Sequence, residues 1–143
     1  MKVQFAAALM LATLALSILA ATQSANLSGT WALEAQAVSG PNYQLGAVSG
    51  TLTLEDKDSV VTGTWKGSMP EPWTLTGRMK GNTFELETEV RNVPATRDGE
   101  QTSVPRRWVF RGSADGDKII GTMGLAGGEG EEPTRSFSAV RKR

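Results

Sequence analysis

The side chains best placed to do chemistry are four tryptophans and a few carboxylates, because the 143-residue chain holds no histidine and no cysteine. It therefore has no imidazole to act as general base and no thiolate nucleophile. The imidazole and thiolate donors that most often hold transition metals are missing as well. Glu85, Glu87 and Glu89 alternate with apolar residues. On a strand they would share one face, about 7 Å apart, which reads as a solvated outer surface rather than a catalytic or metal cluster. Asp56 with Asp58, and Asp115 with Asp117, could bracket a Ca²⁺ across a turn. Each pair lacks the further oxygen ligands of a calcium loop, and ordinary turn chemistry explains both. No metal, no cofactor and no catalytic residues are expected. A hydrolase built on a carboxylate pair or a Ser–Lys pair is the minority alternative, and no motif marks one.

The tryptophans carry the more specific question. Trp31, Trp65, Trp73 and Trp108 all fall at inward-facing positions of alternating segments. They can be core, or they can line one mouth of a barrel with indole N–H groups as donors. Trp65 and Trp73 flank one short connection and so belong at one end. Tyr43, Trp65, Trp73 and Trp108 are the candidate ligand-binding set.

The elements that would position them are strands. Thr51–Leu54 alternates polar and apolar, and Val60–Trp65 is rich in β-branched and aromatic residues. With Glu55–Asp58 as the polar connection, residues 49–67 read as one hairpin, with Leu52, Leu54, Val61 and Trp65 inward. Gly63, inward between larger residues, permits a bend or close packing. The pattern recurs. Trp73, Leu75 and Met79 face in, followed by a tight turn at Lys80-Gly81-Asn82. Phe84, Leu86 and Val90 face in on the next strand, against outward Glu85, Glu87 and Glu89. Trp108 and Phe110 share a face before an Asp115-Gly116 turn. Lys118–Met123 repeats the pattern of Val60–Trp65, and Phe137 and Ala139 face in on the last strand. Residues 36–46, 92–105 and 124–133 read as loops from their Pro, Gly and polar content. The fold class is all-β: an eight-stranded antiparallel up-and-down meander closed into a small barrel. A two-sheet sandwich is the alternative architecture. A lipid-spanning barrel is disfavoured by outward Thr, Glu, Lys and Arg.

Residues 1–25 read as a signal peptide, with Lys2 as the positive n-region, Phe5–Leu19 as the apolar core and small residues at 20–25. An uncleaved anchor is the alternative, but the apolar run is shorter than the roughly 20 residues that span comfortably. The expected location is secreted or periplasmic, with residues 26–143 as a single domain and no membrane span after cleavage. Asn26-Leu27-Ser28 is a glycosylation triplet. Fifteen basic and fifteen acidic residues cancel, and loss of Lys2 leaves the mature chain slightly acidic. That argues against nucleic acid as partner. Arg106-Arg107 and Arg141-Lys142-Arg143 read as solvated strand ends.

Gly29-Thr30-Trp31 on the first strand of such a meander resembles the calycin group of lipocalins, fatty-acid-binding proteins and avidins. The resemblance implies that Trp31 closes one end of the barrel and that a basic residue near the last strand, Arg141 or alternatively Arg135, packs over it. Ser28–Trp31, Thr62–Trp65 and Leu75–Arg78 are similar to avidin strands. The polar residues that avidins offer to biotin are replaced by Ala32–Ala35, and no tryptophan follows Phe110, so a biotin site is not matched. The function expected from these readings is an exported barrel that binds a small apolar or amphipathic ligand in its interior. The alternative is a macromolecular interaction or inhibitor module with a filled core, binding through residues 36–46 and 92–105.

Overall fold

The structure, a computed structural model, describes residues 25–41, 43–127 and 134–143. The signal-peptide expectation and the acidic part of the 124–133 segment (128–133) lie outside these residues.

Eight strands form the wall. They are β1 (Gly29–Ala35), β4 (Val48–Lys57), β5 (Val60–Lys66), β6 (Trp73–Lys80), β7 (Thr83–Thr88), β9 (Glu100–Asp115), β10 (Lys118–Ala126) and β11 (Arg135–Arg141), each antiparallel to the next. β1 also pairs with β11, from Trp31↔Arg141 to Ala35↔Phe137. The ring therefore closes, and the sandwich alternative falls. Three short strands stand outside it: β2 (Val38–Gly40) and β3 (Tyr43–Leu45) pair with each other, and β8 (Arg91–Arg97) pairs with the first half of β9.

The alternation in the sequence becomes the inside and outside of this wall. Leu33, Leu52, Leu54, Val61, Trp65, Trp73, Leu75, Phe84, Leu86, Phe110, Ile119 and Phe137 are buried in one core. The threonines and glutamates between them face water. Outward charges pair across strands, Arg111 with Glu85 at 3.2 Å and Arg107 with Glu87 at 3.6 Å. These pairs are exposed and stabilise little. The hairpin turn between β4 and β5 places both Asp58 (φ 53°) and Ser59 (φ 68°) in the left-handed region, the geometry that matches strand twist in a two-residue hairpin.

Four expectations are corrected. Residues 92–105 are not a loop: β8 and β9 form a long hairpin arm that turns at Asp98-Gly99 (φ 51° and 78°). Its cross-strand pair Val93↔Val104 supplies the apolar face. Residues 36–46 hold the β2–β3 hairpin, and Gly124–Ala126 continue β10. Val90 is exposed, because β7 ends at Thr88 and the chain bends there into the arm.

Inward glycines let so few strands close around so small an interior. A Cβ at Gly63 would stand 2.0 Å from the Thr53 carbonyl oxygen, and one at Gly77 would stand 2.0 Å from that of Glu85. Both distances are far inside van der Waals contact, so the neighbouring strand would have to move. Gly63→Ala is expected to cost about 2 kcal/mol. The readout is a lower urea midpoint at unchanged m. Gly46→Ala, whose Cβ would meet nothing within 4 Å, should leave the midpoint in place.

Candidate functional site

The strand register sorts the barrel into two unlike ends. At one lie the tight turns 58–59, 81–82 and 116–117, with the chain terminus after Arg141. At the other lie the 67–72 connection, the β2–β3 hairpin and the arm.

Trp31 plugs the first end. It is fully buried, and its indole N–H donates to the Leu27 carbonyl at 2.9 Å. The Arg141 guanidinium lies 4.2 Å from the ring centroid, a cation–π stack. The same group donates to the Ser28 and Asn26 carbonyls and to Asp117 at 3.0 Å. Arg141 is thus the basic residue over Trp31. Arg135 sits at the opposite end, buried, donating to the Gly46 carbonyl and so pinning the β3–β4 connection. The turn carboxylates expected from the sequence serve this end: Asp56 accepts the Leu27 N–H at 3.1 Å, and Asp117 is shared by Arg141 and Arg143.

The second end gathers the other three tryptophans. Trp65 pairs directly with Trp73 across β5 and β6, and Trp108 pairs with Leu125 across β9 and β10. Trp65 and Trp73 are 2% and 3% exposed, whereas Trp108 is half-buried. Gly50 makes room for the Trp65 indole: a Cβ there would meet the ring at 2.5 Å. Below Trp65 the interior is filled by an edge-on aromatic column, with Trp65 to Phe110 at 5.9 Å and Phe110 to Phe137 at 5.7 Å. Above it lies a cavity of about 230 Å³. Its walls are the three indoles, with Met69 of the connection, Val93 of the arm and Leu125 of β10.

Two residues fix the rim that sequence reasoning passed over. Thr88 is buried; its hydroxyl accepts the Trp108 backbone N–H at 2.8 Å and donates to the Glu89 carbonyl at 3.0 Å, which holds β9 where β7 turns into the arm. Its parity with Phe84 and Leu86 was the available signal. Arg91 stacks over Trp73 at 4.5 Å, donates to the Pro72 carbonyl and pairs with Glu89. It ties the base of the arm to the 67–72 connection. Tyr43 does not join the group. It lies on β3, 41% exposed, packed on Gly40 across its own hairpin.

No protein-family model, no curated protein and no solved structure matches this chain. The closed eight-stranded barrel is consistent with a calycin-like fold, on its own geometry.

The closed end generates a pH prediction. The hydrogen bond from Arg143, reinforced by that from Arg141, holds the Asp117 carboxyl below the usual carboxylate range. A group whose pKa is lowered by folding stabilises above its unfolded value, near 4, and loses that contribution as pH falls through the folded value. The Tm advantage of the native protein over Asp117→Asn should therefore be present at neutral pH and shrink as pH falls below about 4. A Tm difference that is constant across the acid range would show that the carboxylate is not the latch.

Proposed function

We propose that this chain is an exported binding protein whose ligand, small and apolar or amphipathic, enters the open end of the barrel. The observation that carries the reading is the cavity of about 230 Å³ between Trp65, Trp73 and Trp108. Its lining is almost wholly hydrocarbon and aromatic, the usual character of a small-molecule site. The aromatic column beneath Trp65 leaves the deep interior filled, so the ligand position moves from the barrel interior to its mouth. The cavity is smaller than the 300–1,000 Å³ typical of drug-sized sites and larger than the 150 Å³ apolar cavity that holds benzene. A ligand of about one substituted ring fits that range. Export is supported by the charge and apolar pattern of residues 1–25.

A second reading is favoured by the arm, whose strands of about seven residues reach ~20 Å past the wall: a partner protein would insert an apolar side chain into the same pocket. A small-molecule screen separates the two readings. Intrinsic tryptophan fluorescence titrated with single-ring compounds should shift or quench saturably. Val93→Trp fills the cavity from the arm without touching the packed column. It should abolish the response while Tm stays within a few degrees of the native value. A flat titration across the panel would remove the small-ligand reading.

A further inference from the structure

The apolar cavity over Trp65 is not the last concave surface at this end. A second cleft, of about 680 Å³, opens along the arm. The two are consecutive along three stretches of chain. Trp108, Leu125 and Val93 line the lower one. Two residues farther out, Arg106 on β9, Gly127 just past β10 and Ala95 on β8 line the upper one. Residues two apart on a strand share a face and stand about 7 Å apart, so the face that carries Trp108 carries Arg106 next. The chemistry changes over that step. The upper lining holds two guanidiniums, those of Arg97 and Arg106, and three hydroxyls, those of Thr96, Thr102 and Ser103. No carboxylate is among its described residues, and Glu100 stands opposite Arg97 in the ladder but outside the lining.

Guanidinium and hydroxyl groups together form a donor set for oxyanions, charge-assisted at the arginines. A cation would be repelled there. A hydrocarbon would strip water from these polar side chains without replacing its hydrogen bonds. The lower cavity has the opposite demand, since its apolar and aromatic lining favours a ring. We propose that the mouth is a two-part site for an aromatic organic acid, its ring in the lower cavity beside Trp108 and its carboxylate, about 7 Å farther out, in the cleft beside Arg106 and Arg97. Of the apolar and amphipathic ligands that the proposed function admits, this selects amphipathic ones with a negative charge. The inference rests on the mouth being the binding site. Burial of the ring supplies most of the affinity, and the arginines orient the acid and tell it from its neutral and cationic analogues.

Three probes that share a ring and a short alkyl tether but differ in charge are titrated into the purified protein: 4-phenylbutyrate, 4-phenylbutyramide and 4-phenylbutylamine. The acid should bind about tenfold more tightly than the amide, the margin of a hydrogen bond between charged groups. The amine should be weakest. Arg106→Gln and Arg97→Gln should each shrink the acid's advantage, and the double variant should erase it. Binding of the neutral amide should stay within twofold throughout, which reports an intact fold and lower cavity. Arg111→Gln, on the outer wall against Glu85, should leave the advantage unchanged. Arg97 is exposed, so Arg97→Gln decides alone where Arg106→Gln does not fold, and an undiminished advantage there overturns the inference. So does an amide that binds as tightly as the acid, an amine that binds tightest, an advantage that survives in the double variant, or one that falls as far in Arg111→Gln. Each of these leaves the mouth site standing. If none of the three probes binds, the mouth site itself fails and the inference goes with it.

Discussion

The pairing of β1 with β11 is the interaction on which the rest of the molecule depends. It joins residues from opposite ends of the chain: Arg141 grips the Ser28 carbonyl across 113 positions of sequence. Without it the meander would be an open sheet with two long unpaired edges. A disulfide could have secured such a contact, but the chain has no cysteine. The work falls to one guanidinium. Arg141 stacks on Trp31 and at the same time donates to two backbone carbonyls and to Asp117. That combination needs a planar fork with several donors, which an ammonium group cannot reproduce. Closure entropy for so distant a contact is large, and it is offset by the strand ladder and by the burial of Trp31, which removes on the order of 200 Å² from water and stabilises by roughly 5 kcal/mol.

Closure then dictates where a site can be. Eight strands enclose an interior that side chains can nearly fill. Inward glycines at 63, 77, 112 and 121 bend the wall tightly, and the Trp65–Phe110–Phe137 column occupies the middle. One end is stoppered by Trp31. The cavity over Trp65 lies at the other, where the connections are longer and the arm rises. Trp65 has both roles: its lower edge is core against Phe110, and its upper side is the floor of the cavity. Core and site are therefore not alternatives for this residue, and the stability of the barrel and the shape of the pocket are coupled through it.

Much of this was legible in the sequence, and the parts that were not share a cause. Period-two alternation gave the wall strands and the inward set, because a half-buried antiparallel strand repeats with the side-chain period itself. Trp65 and Trp73 could be placed at one end because they flank a single connection. The arm was missed because Pro94 and Pro105 argue against a strand wherever a ladder needs an N–H, and because Asp98-Gly99, a strong turn signal, sat in a polar surround. Val93 and Val104 were the counter-signal, visible only once that turn is taken as the hairpin centre. Thr88 was passed over because a hydroxyl at an inward position looks like a strand ending, and its value lies in a backbone partner, Trp108, twenty residues away. Tyr43 was included on residue type alone, and no spacing argument tied it to the tryptophans.

The arm's prolines also bear on which reading of the mouth is physically stronger. In β8 and the first half of β9 a wall strand itself runs on beyond the ring. Such a pair has two free edges and would ordinarily template pairing with another chain. Pro94 stands opposite Ser103, and Pro105 opposite Asn92, so both occupy the same alternate class of cross-strand pairs. A proline is accommodated in a ladder where its nitrogen faces away from the partner strand. Each edge therefore loses one outward N–H donor, β8 at its middle and β9 at the base of the arm. An arm built to capture an extended peptide by strand addition would keep those donors. Blunted on both edges, yet apolar where Val93 packs against the core and pairs with Val104, the arm is suited to act as a wall. What it walls is the cavity over Trp65, and that favours a small molecule in the mouth over a strand along the edge.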